Sequence, residues 1–375
     1  MEVTLTEDQE FFRETTQKFL DQKSSVPVVR SFRGHDEGFE RDYWRQGAEL
    51  GWVSLLVPEE HGGGSISGNG VVDLTLVADA FGSHTAPGPL LPSNLVAAAL
   101  ARSGSDTQRG DTLPAVIAGE VVPAWVVGPP TGGTVTSGIT ASRAGDGFVL
   151  DGTQAPVEAA AQADVLLVTA GLDDGLAQFL VAPDAPGVTI SRLDSIDLTR
   201  RFGRVQLEGV KVGADAAVGT PGDAAADVDR LLQLASVIQT AEMVGAAQVV
   251  FDMTLEWMFD RYSFGRPLAS YQNLKHRFAD MKMWLEASHA MAAAAARAVQ
   301  DETREAADVA SMAKAYNGQY LPELAQDCVQ MHGGIGVTYE HDIHLYLRRI
   351  TVDTVMHGSP ADHRQRVVSL REVAA

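Results

Sequence analysis

Residues Glu256–Lys275 read EWMFDRYSFGRPLASYQNLK. An apolar helix runs into Arg261, and Tyr262, Ser263, Phe264 and Gly265 then make a turn. Pro267, with its fixed φ and no N–H to donate, blocks any continuation of that helix. A second long helix is expected to start after Ser270, with Gln272 in its first turn. Such a corner sets a guanidinium, a free helix N-terminus and a side-chain amide close together, a combination that suits anions and especially pyrophosphates. Taken alone, the same residues also describe an ordinary corner between helices, with a solvated arginine and a capped second helix.

On both sides of this corner the pattern stays helical. Upstream, Leu231 to Trp257 is apolar around most of its circumference, so this helix is expected to be buried on all sides. Downstream, Leu274, Phe278, Met281, Leu285, Ser288, Ala292, Ala295 and Val299 recur at steps of four and three. That repeat is the seam of a helical bundle, and its alanine-rich part allows a close approach of the next helix. Residues 221–375 therefore read as a helical bundle domain.

Residues 111–220 differ in kind. Val116–Ile117, Ala124–Val127, Gly147–Leu150, Asp164–Thr169, Gln178–Val181 and Gly187–Ile190 are short β-type runs punctuated by Gly, Pro and Asp. Such a series predicts a small barrel or sandwich. Arg200 and Arg201, within SRLDSIDLTRRFGRVQL (191–207), are read as surface charge. Residues 1–110 read as helical again. A first amphipathic helix opens at Leu5, Thr6, Glu7 and Asp8, with an apolar face of Phe11, Phe12, Thr15 and Phe19. Tyr43 to Leu50 forms a second helix ended by Gly51 as a C′ glycine. WVSLLVPEEHGGG (52–64) is a loop, and Val71–Ser83 and Ser93–Ser103 are two further helices. The fold class is α+β, ordered helical, β, helical.

The 375 residues carry 45% hydrophobic and 21% charged side chains, as a globular chain of two or three domains would. A formal charge of −20 argues against nucleic acid or an anionic membrane as partner. It leaves room for an anionic thioester, because local cations can outweigh a screened global charge. Cys328 is the single cysteine, so neither an internal disulfide nor a cysteine metal cluster can form. His276, His332, His341 and His344 show no metal-ligand spacing. MEVTLTEDQEFF lacks the basic and apolar regions of a leader, and no uninterrupted apolar run is long enough for a bilayer. A cytoplasmic protein is expected.

The RxxFG phrase of Arg261–Gly265, with Gln272 beyond it, resembles the FAD-contacting corner of the acyl-CoA dehydrogenase family. Gln330-Met331-His332-Gly333-Gly334-Ile335-Gly336 resembles that family's second signature, and LxVPEExGG (55–63) resembles part of its N-terminal helical domain. The resemblance extends over nearly the whole chain. It implies the acyl-CoA dehydrogenase fold: an N-terminal helical domain, a middle β domain and a C-terminal four-helix bundle that builds a tetramer. In the family each FAD lies between two subunits, one supplying the flavin cleft and its neighbour reaching over to hold the pyrophosphate and adenine. Arg261, Ser263, Phe264 and Gln272 match the first element of that donated grip, and Gln330, Gly333 and Gly334 match the second. The arginine suits phosphate oxygens, and the glycines let backbone N–H groups approach a dinucleotide. Glycines that serve only a tight turn between helices are the alternative.

The cleft half departs from the family. Where members carry an aromatic residue and then a hydroxyl that contacts the flavin, FVLDGTQAPVEAAAQADVLLV (148–168) has Pro156 and Glu158. A free carboxylate there would repel a reduced, anionic flavin. The segment VVGPPTGGTVTSG from Val126 lacks the glutamate of the corresponding family loop. The glutamate that removes the substrate α-proton is missing as well. Its usual position holds His357, its alternative position on the long helix holds Ala235, and the CoA-binding arginine is replaced by Ser236. Imidazole is a competent base near neutral pH, so His357 is a candidate of a different reach.

Taken together, the resemblance implies the non-catalytic subunit of an actinobacterial α2β2 acyl-CoA dehydrogenase of the steroid-degrading type. FAD would be shared across the interface with a homologous, glutamate-containing subunit. Such a complex desaturates an acyl-CoA thioester, by analogy one with a bulky acyl group, and passes electrons to an acceptor. The alternatives are a self-sufficient homotetrameric flavoenzyme using His357, and a flavin-free scaffold or CoA-thioester-binding protein.

Overall fold

The computed structural model describes residues 5–131 and 134–374. Met1–Thr4, at the N-terminus read above, and Gly132–Gly133, in the loop from Val126, lie outside the described residues.

Helix α1 (Glu7–Lys23) opens on a capping box: Thr6 Oγ1 accepts the Gln9 N–H at 3.2 Å, and Gln9 Oε1 accepts the Thr6 N–H at 3.0 Å. Its buried row is Gln9, Phe12, Thr16 and Leu20, whereas Phe11, expected on the apolar face, is 73% exposed. The steps of three and four run from Gln9, which tethers the helix to buried Asp73 at 2.7 Å. Helices α2 (Val26–Ser31), α3 (Arg41–Glu49), α4 (Gly70–His84), α5 (Leu90–Ser103) and α6 (Leu113–Ile117) follow. Gly51 ends the α3 turn with φ +98°. Val116 and Ile117, expected in a strand, lie in α6. Pro114 suits the first turn of a helix, and Leu113 and Val116 are buried at the helical step of three. Trp52 anchors this region, with Phe81 and Phe19 packed edge-on at 5.0 and 5.3 Å.

The middle region holds β1 (Pro123–Val126), β2 (Pro130–Thr131), β3 (Thr134–Val135), β4 (Ile139–Ala144), β5 (Gly147–Glu158), β6 (Val165–Leu172), β7 (Gly175–Val181), β8 (Val188–Leu193), β9 (Phe202–Gly213) and β10 (Ala217–Gly222). Eight of them form a mixed sheet in the order β10-β7-β6-β4-β5-β9-β8, with β1 parallel to β6. Register shifts in β5 near Gly152 and between Gln154 and Val157 bend the sheet and turn Glu158 inward. Phe148, Leu150, Leu166, Phe179 and Val205 fill its core.

Helix α7 (Ala225–Asp260) follows. It is long and apolar enough to cross a membrane, but 89% of its most apolar window is buried inside the fold. Gly82 on α4 and Gly245 on α7 bring these two backbones into direct contact. A Cβ on Gly82 would fall 1.9 Å from the Glu242 carbonyl oxygen, and one on Gly245 would fall 2.2 Å from that of Asp79. The hairpin β11 (Tyr262–Ser263) and β12 (Arg266–Pro267) leads to α8 (Gln272–Gln300), then α9 (Ala306–His332), α10 (Ile343–Val355) and α11 (Pro360–Ala374). Along the α8 seam Met281, Leu285, Ser288, Ala292, Ala295 and Val299 are buried, and Leu274 and Phe278 are half-buried.

Arg200, expected at the surface, is only 4% exposed. It reaches Glu158 at the end of β5 (3.1 Å), Glu242 on α7 (3.3 Å) and Asp353 on α10. Arg349 on α10 pairs with Asp197 at 2.5 Å and with Glu242, and donates to the Ala86 carbonyl beyond α4 at 3.1 Å. Lys314 on α9 donates to the Asp353 carbonyl. Arg201 is half-buried and donates to the carbonyls of Phe32, His35 and Leu198. Four carboxylates, Glu158, Asp197, Glu242 and Asp353, thus share three cations, Arg200, Arg349 and Lys314, at the junction of the three regions. Burial pushes the Asp353 carboxyl up to about 7 against the pull of Arg200, and raises Glu158 as well.

Gly82→Ala should destabilise the protein by about 1–3 kcal/mol or more, because neither backbone can move aside; a shift in the denaturant midpoint at constant slope checks this. Folded Asp353 keeps a proton that the unfolded chain releases between 3.8 and about 7, so its contribution is present at low pH and lost as pH rises through that window. Unfolding measured from about pH 5 to 7.5 should therefore lose stability more steeply for the wild type than for Asp353→Asn.

Candidate functional site

Two places carry the residues singled out from the sequence. At the first, α7 ends at Asp260, and Arg261 leaves in extended conformation with its N–H on the Trp257 carbonyl. The hairpin is closed by Phe264 and Gly265, both in the left-handed region with φ of 51° and 79°. A turn with two such residues matches the twist of paired strands, yet a glycine or asparagine normally takes its first position. Here a phenylalanine holds it, and its side chain is 97% exposed. An aromatic residue kept in a strained conformation and aimed at solvent gains nothing inside this chain. Tyr271 braces the loop by donating its hydroxyl to the Ser263 carbonyl at 2.7 Å, with the Arg266 guanidinium over its ring at 3.9 Å. Gln272 is the first residue of α8, and its N-cap Tyr271 makes no side-chain cap. Ser270 turns its hydroxyl to the Pro267 carbonyl instead, which leaves the α8 N-terminus open to an outside acceptor.

The second element is the end of α9. Gln330 is exposed, and Gly333 stops the helix at φ 65° and ψ −140°, a conformation reserved for glycine. Gly334 has neither a positive φ nor, among the described residues, any atom within 4 Å of the Cβ it lacks, so none of their contacts requires glycine there. The two elements share one surface through a stack of rings that sequence reasoning did not isolate. The Arg261 guanidinium lies 5.9 Å from the Trp257 ring, Trp257 stacks on His332 at 5.3 Å, and His332 meets His341 at 4.3 Å. His332 is fixed by its Nδ1 on the Cys328 carbonyl at 2.8 Å, and burial lowers its pKa. The stack sets Arg261, at the end of α7, near the end of α9 that carries Gly333; Phe264, Gln272, Gln330, Gly333 and Gly334 are exposed, and Ser263 is half-buried. Cation and open backbone donors suit the pyrophosphate of a dinucleotide.

The other place is the cleft between sheet and bundle, where a cavity of about 130 Å³ is lined by Leu91, Trp125, Pro156, Glu158, Met356 and His357. Enclosed by this chain alone, the cavity lies below the roughly 300 Å³ at which small-molecule sites begin. His357 reaches it, stacked on Trp125 at 5.6 Å with the rings within 12° of parallel. It is held in the left-handed region (φ 58°), and its carbonyl lies 3.1 Å from His363 Nε2. Burial, with the charges of Lys314 and Arg200 nearby, pushes the His357 pKa down to about 3. A base that weak is mismatched to proton abstraction at neutral pH. Ala235 is packed into the core and does not line the cavity, and the Ser236 hydroxyl is turned to the Leu232 carbonyl. Glu158, read above as a free carboxylate facing a flavin, is instead tied to Arg200 in the buried charge cluster. Glu242 was missed, although a carboxylate in the middle of an otherwise apolar helix demands a buried partner.

Comparison with known proteins agrees with this architecture. Residues 6–120 match the acyl-CoA dehydrogenase N-terminal domain, and residues 228–369 match the acyl-CoA dehydrogenase C-terminal domain. The acyl-CoA dehydrogenase FadE27 of Mycobacterium tuberculosis is 32% identical over 356 residues, covering 92% of each chain. A variant of the Tcur3481–Tcur3483 steroid ACAD superposes with a TM-score of 0.88 at 27% identity, over 99% of this chain and 100% of its own. The ChsE4–ChsE5 complex of Mycobacterium tuberculosis superposes with a TM-score of 0.87 at 29% identity, over 100% of this chain and 99% of the matched chain. With both terminal domains matched and nearly full-length relatives on either side, the chain belongs to the acyl-CoA dehydrogenase family, a family of flavoprotein oxidoreductases.

Proposed function

We propose that this chain is the flavin-lending subunit of a heteromeric acyl-CoA dehydrogenase. It holds the dinucleotide end of an FAD whose flavin lies in the cleft of a homologous, glutamate-bearing partner. The observation that carries this reading is the contrast between its two sites. Its own cleft is about 130 Å³ and ends on a buried ion pair, while the corner carrying Arg261 and Phe264 is open. The residues present in the cleft do not fit a flavin, and no step of the reaction is assigned to them. The corner does fit the pyrophosphate and adenine. Arg261 would neutralise the phosphates, Phe264 would cover them from water, and the Gly333–Gly334 backbone and the α8 N-terminus would supply N–H donors. The flavin, when bound, supplies hydride acceptance in the α,β-desaturation of an acyl-CoA, and the partner's carboxylate removes the proton. The likeness to the Tcur3481–Tcur3483 steroid ACAD and the ChsE4–ChsE5 complex supports an α2β2 assembly and a bulky, steroid-type acyl group. An electron-transfer acceptor completes the turnover.

The chain expressed alone should purify without flavin, whereas the complex with its partner should be yellow, with two flavins per four subunits. Four flavins on the isolated chain, bleached by an acyl-CoA, would sink the proposal. Within the complex, Arg261→Ala should weaken FAD retention by about tenfold or more, read as flavin lost on gel filtration, because a charge-assisted phosphate contact contributes about 1.5–3 kcal/mol. His357→Ala should leave turnover within about twofold of the wild type. A loss of 10²-fold or more, the scale of a missing general base, would place the chemistry on this chain instead.

A further inference from the structure

A second cavity, of about 420 Å³, opens where the N-terminal helices meet the bundle. It lies at the C-terminal end of α5, about ten residues along that helix from Leu91 and Pro92 in the cleft, or roughly 15 Å of helical rise. Its volume falls in the ordinary range of small-molecule sites. Leu55, Val71, Ala98, Leu231 and Leu234 give it an apolar lining. Gln300 bridges one side, accepting the Val71 N–H at 2.8 Å.

The mouth is charged. Arg102 lies 2.9 Å from Glu302 and 3.3 Å from Asp227, and Arg230 lies 3.7 Å from the same Glu302 oxygen while donating to the Val299 carbonyl at 2.6 Å. The two carboxylates are held differently. Asp227 is fixed on α7 and takes the Ser103 hydroxyl at 2.6 Å. Glu302 stands on the turn after α8, half-exposed, with its backbone in the left-handed region at φ 46°. Swinging the half-exposed Glu302 side chain toward solvent would release one face of both guanidiniums, while Arg102 stays on Asp227 and Arg230 on the Val299 carbonyl. One carboxylate oxygen set between two arginines above an apolar pocket is the arrangement that an amphipathic acid would make for itself.

We propose that this cavity binds an apolar monocarboxylic acid, its chain lying along Ala98, Leu231 and Leu234 and its carboxylate replacing Glu302 between Arg102 and Arg230. The site is separate from the flavin-binding corner and does not depend on how the flavin is shared. The chain's net charge of −20 does not prevent it, because exposed charges beyond about 8 Å are screened at physiological salt. Glu302 acts as a tethered competitor, so the cavity is closed by a ligand-like group until a better one arrives.

The test is isothermal titration of the full-length protein with octanoate, decanoate and dodecanoate below their micelle concentrations, and with decanol as the uncharged analogue. Saturable one-site binding is expected, tightening about fourfold per added methylene, with decanol at least tenfold weaker than decanoate. Glu302→Gln should tighten dodecanoate binding by threefold or more, and Arg102→Gln should weaken it about tenfold. Ala98→Leu, which adds volume on the cavity wall, should weaken it about tenfold as well. If that variant fails to fold, Arg102→Gln and Glu302→Gln decide between them. Absence of saturable binding, decanol binding as tightly as decanoate, or affinity unchanged in both Arg102→Gln and Glu302→Gln would overturn the proposal.

Discussion

The structure turns on a knot of charge sealed from water. Arg200 and Arg349 each bind carboxylates from two or more elements, and Glu242 on α7 takes a guanidinium of each. Removing that many ions from solvent costs several kcal/mol per ion, and only mutual pairing at hydrogen-bond distance offsets it. The arrangement therefore specifies geometry more than it adds stability. Glu158 fixes the end of β5, Asp197 and Arg200 fix the β8–β9 connection, and Asp353 and Arg349 fix α10, each relative to α7. Leaving any one of these charges unpaired is far more damaging than the net worth of its pair suggests.

The knot also shapes the cleft. Its Glu158 end forms part of the cavity wall opposite His357, so the space between sheet and bundle is closed by the interaction that joins them. A chain that used this space for a flavin would have to keep it open and polar in another way. The corner at Phe264 follows the opposite logic: strain and exposure persist there because braces from Tyr271 and the Trp257–His332 stack hold the loop in place. Strained backbone survives only where its surroundings over-determine it, and here the surroundings do so for a surface that none of the described residues covers.

Much of this was legible beforehand. The Arg261–Gly265 turn, the α8 start at Gln272, the glycine stop at Gly333 and the buried character of α7 follow from local rules about proline, glycine and apolar periodicity. Errors arose where local rules compete. Val116–Ile117 is β-branched and looks like strand, but Pro114 and the Leu113–Val116 spacing favour a helical turn. The apolar face of α1 is displaced by one residue because Gln9 is held inward by Asp73.

Sequence by itself determined the order of helical and β regions and the two glycine-bearing corners at Arg261–Gly265 and Gly333–Gly334, because residue identity and spacing carry that information directly. Only the tertiary structure decided that Arg200 is a buried rivet and not surface charge, that Glu158 is paired with it, and that Trp257 and His332 stack the ends of α7 and α9 together. Whether a charge is solvated or paired depends on groups far apart in the chain: Arg200 and Asp353 are separated by 153 positions, and no local pattern reports such a contact.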